Sequence, residues 1–417
     1  MRKHNGTQLY GIQKFLTTLK MGMNKELKKL SLRQKLALNY VSKESKLTRI
    51  GNKIYTNTFT PYFPSRAYDR FLKGVIAISA GQPLPVVTNF AVTPQCPCHC
   101  WHCSFSDRSK KDVPTLEQLR KAIADVQDLG TSVIGLTGGE PLLRDDLEEI
   151  TACIDKRSMP LLFTTGYKLT RQRVKDLKSA GLEIPVISLD HYKAEVHDKG
   201  RRKEGIFDYA VNAIRLFQDE GFYVAVSFVP DKPLVSDRQE IFKVIEFFRD
   251  IGINDMRLTS PILSGKLTTK PEERLSPENG QTIVEIQKKC TRTKGYPGVF
   301  AYDFFESEKY YGCGAGFNYM FIDSQGNVCP CDFTMLSFGN IFERPLQEIW
   351  AETSRHFRTP GPACYANISN DVIFSKKKAE WPLRKQATLE ILDECPSYDE
   401  RRLPEFYKRM GFPLNKS

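Results

Sequence analysis

A cysteine-rich loop, Cys96-Pro97-Cys98-His99-Cys100-Trp101-His102-Cys103, follows an apolar run over 86–93. Within it, Cys96, Cys100 and Cys103 have the spacing C-x3-C-x2-C, so three thiols lie on one short loop. Thiolates are the usual protein ligands of iron–sulfur cubanes, and such a loop can wrap around one corner of a cluster. Because a [4Fe–4S] cube has four irons, three cysteines leave one iron open to a cofactor or a substrate. The loop therefore predicts an iron–sulfur site at the end of a buried strand.

A second motif, Thr137-Gly138-Gly139-Glu140-Pro141, also follows an apolar strand. Together the two loops resemble the radical S-adenosylmethionine (radical SAM) superfamily, whose members carry CxxxCxxC after the first barrel strand and GGE after the second. The resemblance implies that the open iron chelates the amino and carboxylate groups of SAM. It also implies that the backbone of Gly138, Gly139 and Glu140 holds the amino group, and glycine permits the close approach this needs.

The activity that the resemblance implies is reductive cleavage of SAM to methionine and a 5′-deoxyadenosyl radical. This radical abstracts hydrogen from an unactivated carbon of the substrate, while the protein excludes water and aims the radical. A reductant such as flavodoxin or ferredoxin would supply the electron. The substrate class stays open between a peptide side chain, a lipid and a small metabolite.

From residue 86 the sequence alternates strands and helices with short connections, which predicts a parallel sheet. A capping box at Thr115 and Gln118 opens the first helix, and Ser276-Pro277 opens the last with a cap and a first-turn proline. Six β/α units fit the partial (β/α)6 TIM-type barrel that the resemblance implies, and such barrels carry their chemistry at the carboxyl ends of the strands. The predicted strands cover 86–93, 132–137, 160–165, 185–190, 223–229 and 255–260.

Further candidate site residues lie at the ends of later strands. Ser188 and Asp190 end the fourth strand, a position that in radical SAM relatives often lines the pocket for the SAM ribose. Thr164 and Thr165 end the third strand and are weaker candidates. Cys98 is interpreted as a bystander because the three-cysteine spacing is complete without it. The cysteines predicted to be buried small hydrophobic residues in helices are Cys153 and Cys290.

A second set of cysteines lies beyond residue 300, where Cys313 and Cys331 flank a predicted β-hairpin. This stretch resembles the SPASM/twitch extension of radical SAM enzymes, in which such a hairpin ligates an auxiliary [4Fe–4S] cluster. Those domains usually offer further closely spaced cysteines, whereas here Cys364 and Cys395 stand alone. Cys364 is taken as the third ligand, with Cys329 as the alternative. Four thiolates would make the cluster an electron relay, and three would leave an iron open to substrate.

Charge is concentrated at the N-terminus. The net charge is +12, and residues 1–60 hold 13 lysines and arginines against Glu26 and Glu44. Residues 8–23 and 25–41 combine these basic side chains with apolar residues at helical spacing. Such helices either pack against the barrel or lie on an anionic membrane surface.

The predicted domains divide the chain into four parts. They are a basic, mainly helical N-terminal extension at 1–85, a radical SAM core barrel at 86–299, a SPASM/twitch-like subdomain at 300–370 and a C-terminal tail at 371–417. No apolar run approaches the ~20 residues that span a bilayer, so no transmembrane segment is predicted. The N-terminus lacks the features of a secretion signal, and the clustered cysteines do not look like a disulfide framework. These features favour the cytoplasm, with peripheral membrane contact through residues 1–60 as an open alternative.

Two other functions compete with the radical SAM interpretation. Cys98, His99 or His102 could complete a tetrahedral zinc site with the three cysteines, which would make the chain a non-catalytic zinc or iron–sulfur protein. Zinc, however, gives no reason for the glycine-rich motif that follows the next strand. The basic arm could also indicate a radical enzyme that modifies nucleic acid, although the sequence contains no recognised RNA-binding module.

Overall fold

The computed structural model of the chain describes residues 5–105, 113–375 and 382–413. In these ranges the strands form a three-stranded antiparallel sheet and a nine-stranded sheet. The strands are β1 Thr7–Leu9, β2 Leu47–Ile50, β3 Lys53–Tyr55, β4 Val87–Thr93, β5 Val133–Gly138, β6 Met159–Thr164, β7 Ile184–Ser188, β8 Ala225–Phe228, β9 Asp255–Leu258, β10 Gly298–Ala301, β11 Tyr319–Ile322 and β12 Val328–Cys329.

Most strands of the large sheet are followed by helices. The helices are α1 Gly11–Gly22, α2 Lys25–Lys28, α3 Leu32–Ser42, α4 Arg66–Ser79, α5 Leu116–Leu129, α6 Leu147–Ala152, α7 Arg171–Ser179, α8 Ala194–Arg201, α9 Ile206–Asp219, α10 Lys232–Ser236, α11 Arg238–Asp250, α12 Pro277–Arg292, α13 Tyr302–Phe305, α14 Leu346–His356, α15 Tyr365–Ser375, α16 Lys385–Leu392 and α17 Glu405–Met410. Within the described residues, none of these helices has the length and apolar character needed to cross a membrane.

The large sheet confirms the α/β fold and the partial TIM-type barrel. Strands β4 to β10 lie side by side in chain order, and every pair among them is parallel. Six β/α units from β4 to α12 match the predicted number, and β10 adds a seventh parallel strand that the sequence did not predict. Its four residues, Gly298–Ala301, follow a turn at Gly295 and are too few to give a periodic signal.

The apolar pattern of the first β/α unit explains its packing. All seven residues of β4 are buried, as the continuous apolar run predicted. The capping box at Thr115 and Gln118 is present and fixes the start of α5. Leu119, Ile123 and Val126 then bury one face of α5 against the sheet. The cysteine loop therefore begins at the end of a fully buried strand in a sheet that α5 covers.

The predicted hairpin near residue 320 is present and extends the barrel sheet. Strand β11 pairs with β4 in parallel and with β12 antiparallel. The residues that follow β12 lie against the barrel, and Asn89 Nδ2 on β4 donates a hydrogen bond to Asp332 Oδ1 at 3.2 Å. The subdomain predicted at 300–370 is thus joined directly to the strand that precedes the cysteine loop.

The N-terminal extension closes the end of the barrel opposite the cysteine loop. Tyr55 packs with the first residues of β5 to β8, including Val133 and Ala225. The backbone N–H of Thr58 donates to Asp255 Oδ2 at 3.0 Å at the start of β9. Helix α3 packs on α17, so the C-terminal part of the described chain lies against the N-terminal extension.

Candidate active site

A cavity of about 700 Å³ lies within the barrel, at the carboxyl ends of the strands. Its wall contains the cysteine loop, the glycine-rich loop and residues after β12. The predicted site residues that line it are Cys96, Cys100, Cys103, Gly138, Gly139, Thr164, Thr165 and Ser188. Glu140 and Asp190 lie behind the wall, where they hold lining residues in place.

The cysteine loop brings four thiols together, since Cys98 lies between Cys96 and Cys100 and is hydrogen-bonded to both. These hydrogen bonds lower the pKa of Cys96 and Cys100 and raise that of Cys98. Burial raises the pKa of Cys103 to about 11. The choice of Cys96, Cys100 and Cys103 as the ligands stays a prediction, because Cys98 belongs to the same group of thiols.

The arrangement of these donors fits a cluster better than a single ion. In the ranges that the structure describes, no three His, Cys, Asp or Glu side chains surround a point that would hold one metal ion. Zinc needs four ligands around one centre, whereas a cubane binds each thiolate at a different iron. The geometry therefore gives the zinc interpretation no support.

The two loops of the site are hydrogen-bonded to each other. The N–H of Gly139 donates to Thr93 O at 2.7 Å, and the N–H of Glu140 donates to Gln95 O at 2.6 Å. Gly139 must be glycine because a Cβ there would lie 2.0 Å from Gln95 O. The glycines thus let the second loop lie directly on the first.

The side chain of Glu140 is completely buried behind the cavity wall. Its carboxylate accepts hydrogen bonds from Thr164 Oγ1 at 2.5 Å, Thr165 Oγ1 at 2.5 Å, Thr165 N at 2.7 Å and Leu142 N at 3.1 Å. Burial raises the pKa of Glu140. Thr164 and Thr165 therefore anchor the glycine-rich loop to β6. Both residues also line the cavity, so their contact with SAM stays a prediction.

Asp190 forms a buried ion pair with Arg201, a residue that the sequence analysis missed. Arg201 Nε donates to Asp190 Oδ2 at 2.7 Å, and Arg201 Nη1 lies 3.7 Å from Cys100 Sγ. Burial alone would raise the pKa of Asp190, but Arg201 and His102 outweigh it and hold that pKa well below its usual range. Arg201 itself lines the cavity. Asp190 thus acts on the site through Arg201.

Two histidines complete this buried group. His197 Nδ1 accepts a hydrogen bond from Asp190 N at 3.1 Å, and burial lowers the pKa of His197 to about 4. His102 Nε2 lies 3.7 Å from Asp190 Oδ2. The cysteine loop is therefore connected to α8 by charge as well as by packing. The sequence carries no signal for this, since Arg201 is buried beside an exposed Arg202 of the same type.

The second set of cysteines also converges. The charges of Cys313, Cys331 and Cys364 act on one another, and burial is the largest cause of the raised pKa of each thiol. For Cys331 the pKa rises to about 12. The Tyr398 hydroxyl is hydrogen-bonded to Cys313. Buried Glu306 lies within electrostatic range of Cys313 and Cys364, and burial raises its pKa to about 8.

The remaining cysteines have other surroundings. Cys329 packs against Ala91 and Phe321, which favours Cys364 over Cys329 as the third auxiliary ligand. Cys395 is hydrogen-bonded to Tyr365. Cys290 is fully buried in a helix as predicted, whereas Cys153 is only half-buried. The auxiliary set Cys313, Cys331 and Cys364 stays a prediction that this placement favours.

Comparison with known proteins identifies the two halves of this site. The model of the radical SAM superfamily matches residues 90–245, and the model of SPASM, an iron–sulfur cluster-binding domain, matches residues 313–371. The chain belongs to the radical SAM superfamily and carries a SPASM domain. It is an enzyme whose cofactors are a [4Fe–4S] cluster and SAM, and the SPASM domain implies further iron–sulfur binding.

Individual relatives differ in what they make. The AdoMet-dependent heme synthase of Methanosarcina barkeri (strain Fusaro / DSM 804) is 28% identical over 307 residues, 66% of this chain and 85% of that protein. The antilisterial bacteriocin subtilosin biosynthesis protein AlbA of Bacillus subtilis (strain 168) is 26% identical over 275 residues, 64% of this chain and 60% of that protein. The crystal structure of Streptococcus suis SuiB bound to S-adenosylmethionine shares the fold, with a TM-score of 0.58, 16% identity and coverage of 90% of this chain and 88% of that one.

Proposed function

We propose that the chain binds SAM at a [4Fe–4S] cluster held by Cys96, Cys100 and Cys103 and removes hydrogen from a carbon of an organic substrate in the barrel cavity. One observation carries this proposal. The same cavity is lined by the cysteine loop and by Asp332, the neighbour of Cys331 in the second set of cysteines. When bound, the reduced cluster and SAM supply a 5′-deoxyadenosyl radical. An auxiliary cluster on the second set would supply an electron acceptor beside the substrate.

The residues of the glycine-rich loop have a defined task in this proposal. The N–H groups of Gly139 and Glu140 are already used by the cysteine loop, so the carbonyl oxygens of the loop are left to accept from the ammonium group of SAM. Glu140 fixes the position of these carbonyls through its bonds to β6. Ser188 lines the cavity with a hydroxyl suited to the ribose.

Arg201 supports the thiolate end of the site. Its charge lowers the pKa of Cys100, and its ion pair with Asp190 holds the guanidinium beside that sulfur. A cation in this position favours the thiolate form that binds iron. Asp190 accordingly serves as a positioning residue for Arg201, and its place beside the SAM ribose stays a prediction.

The size of the cavity limits the substrate. A volume of about 700 Å³ is typical of a site for one drug-sized ligand. With SAM inside, the cavity admits one arm of a larger substrate rather than the whole of it. The names of two relatives refer to heme and to a bacteriocin, so we propose a tetrapyrrole or a peptide as the substrate. A radical SAM enzyme also needs a reductant, for which flavodoxin or ferredoxin is the proposed partner.

The release of 5′-deoxyadenosine tests this proposal without knowledge of the substrate. The anaerobically reconstituted protein, reduced with dithionite and given SAM, is expected to form 5′-deoxyadenosine that chromatography and mass spectrometry detect. Alanine at Cys96, Cys100 or Cys103 is expected to abolish its formation, while Cys98→Ala retains it. Cys153→Ala is the matched control for loss of a thiol elsewhere. Full activity of Cys96→Ala with loss in Cys98→Ala would show that the ligand set is wrong.

We further propose that α1 docks on an anionic membrane surface. Its outward face carries five apolar side chains that are each more than half exposed, from 51% at Leu19 to 74% at Ile12. The set is Ile12, Phe15, Leu16, Leu19 and Met23. Their spacing forms one stripe on the helix, and residues 1–60 have a charge of +11. An apolar face flanked by lysines fits the interface of an anionic bilayer, where each basic residue contributes about 1 kcal/mol.

Sedimentation with liposomes tests the docking of α1. Binding is expected to rise with the fraction of anionic lipid, to fall with salt and to be lost in Phe15→Ser/Leu16→Ser/Leu19→Ser. Ile368→Ser/Leu389→Ser, which changes exposed apolar residues on other helices, is the control. A lipid substrate would gain support only from such binding. Binding to liposomes that depends neither on lipid charge nor on the triple substitution would contradict the proposal.

A further inference from the structure

We infer that Arg257, at the inner end of the cavity, binds a carboxylate group of the substrate. Arg257 lies on β9, where the neighbouring Met256 and Leu258 are buried in the core between the sheet and its helices. Arg257 lines the cavity on the other side of the strand. The inference rests on the proposed function, because it assigns the cavity to the substrate.

The guanidinium of Arg257 is held by aromatic rings. Its central carbon lies 4.4 Å from the ring centroid of Phe59 and 4.5 Å from that of Phe163. Arg257 Nη2 donates to the Tyr302 hydroxyl. The side chain is 6% exposed, so both its position and its orientation are fixed. Rings attract a cation but do not neutralise it, and they leave the edge of the guanidinium for another partner.

The hydrogen-bond donors on that edge of the guanidinium are incompletely satisfied. Arg257 Nη1 is buried and has no hydrogen-bond acceptor among the described residues. A buried donor without an acceptor is costly, and a buried charge without a counter-ion is more so. A ligand that brings two acceptor oxygens and a negative charge to this edge removes both costs.

The acids near Arg257 leave this donor open. Burial raises the pKa of Asp255 to about 7 and that of Glu306 to about 8, which favours their neutral forms. Asp332, which lines the same cavity, accepts hydrogen bonds from Asn89 and from the Tyr319 hydroxyl. Arg257 Nη1 nevertheless has no acceptor among the described residues, and Arg257 lines the cavity, so a ligand there can take this donor.

The shape of the guanidinium selects the anion. Its planar fork matches the two oxygens of a carboxylate, and Phe163, which lines the cavity, suits the apolar carbons that carry it. The site therefore fits a carboxylate on a short apolar arm. In the proposed reaction this contact would hold the arm inside the barrel while the carbon that loses hydrogen faces SAM.

A matched pair of small probes tests the inference. The probes are 3-phenylpropionate and 3-phenylpropionamide, which have the same shape and differ in charge, with phenylphosphonate as a second anion. Their binding to the reconstituted holoenzyme with SAM is measured by anaerobic titration calorimetry. We expect the carboxylate to bind about 10- to 100-fold more tightly than the amide, as charge-assisted hydrogen bonds would give. Formation of 5′-deoxyadenosine by the same preparation reports separately on the proposed function.

Two variants complete the test. Arg257→Gln is expected to remove the preference for the carboxylate, while Arg238→Gln, a change at an exposed arginine, keeps it. If Arg257→Gln does not fold, the comparison of carboxylate and amide in the wild-type protein decides. Equal binding of the two probes, no binding of the carboxylate, tighter binding of the phosphonate or a preference that survives Arg257→Gln would each overturn the inference.

Discussion

Glu140 offers the sharpest prediction about how the site is built. Its carboxylate joins the glycine-rich loop to the end of β6 through four hydrogen bonds, two of them from the backbone N–H groups of Leu142 and Thr165. The two hydroxyl donors can rotate to other acceptors, but the two N–H groups are fixed. Substitution of Glu140 therefore leaves a known number of buried donors without a partner.

The magnitude follows from these donors. Each buried N–H without an acceptor costs about 1–3 kcal/mol, and Glu140→Ala leaves two of them. The cavity adds to this, so Glu140→Ala is expected to lower the free energy of unfolding by about 3–6 kcal/mol. In Glu140→Gln the amide oxygen can serve one N–H while the amide nitrogen faces the other, and the expected loss is about 1–3 kcal/mol.

The assay is anaerobic unfolding in denaturant, with iron content and the KM for SAM measured on the same preparations. Glu117→Gln, at a side chain that is 85% exposed, is the control and is expected to change little. The KM for SAM should rise in both Glu140 variants while iron is retained, because the cysteine loop keeps its own ligands. Losses within 1 kcal/mol of the control, or equal losses for alanine and glutamine, would refute this account of the loop.

Three further predictions concern buried charge. Arg201→Gln leaves the buried Asp190 carboxylate without its partner and is expected to lower the free energy of unfolding in denaturant by about 3–5 kcal/mol. The pKa of Cys100, measured by thiol alkylation of the apoprotein, is expected to rise, and an unchanged pKa would contradict the prediction. His197 has a pKa of about 4 in the folded protein, so the unfolded chain binds its proton first as pH falls from 6.5. The free energy of unfolding of the wild type should therefore fall by about 3 kcal/mol towards pH 4 relative to His197→Asn, and parallel pH profiles of this free energy in the two proteins would contradict the prediction. Asp255 has a pKa of about 7 in the folded protein, so its contribution to the free energy of unfolding is full below pH 3.8, and about 4 kcal/mol of it is lost as pH rises to 7. Asp255→Asn should remove this dependence of the free energy of unfolding on pH, which denaturant unfolding at several pH values checks.

The parts of the fold that the sequence predicted are those set by local patterns. The buried run before Cys96 and the capping box at Thr115 each depend on residues within one element, and both are present as expected. The pairing of β11 with β4 could not be predicted, since it joins strands that are far apart in the chain and have no shared local signal. Strand β10 was not predicted because its four residues are too few to show a periodic pattern.

The same distinction applies to the site. Spacing alone pointed to the cysteines, because one loop must carry ligands of one cluster. The role of Asp190 could not be read from the sequence, since its ion pair with Arg201 depends on how α8 returns over the sheet. Arg257 likewise differs from surface arginines only in its burial between rings. Tertiary structure decides which charged residues are buried, and composition does not record it.

In the proposed enzyme, two separate sets of cysteines each hold a cluster. Iron bound per chain after anaerobic reconstitution, measured in the wild type and in two triple variants, distinguishes two clusters from one. We predict about eight irons in the wild type and about four in each of Cys96→Ala/Cys100→Ala/Cys103→Ala and Cys313→Ala/Cys331→Ala/Cys364→Ala. About four irons in the wild type, or a triple variant that keeps the wild-type iron content, would contradict the claim.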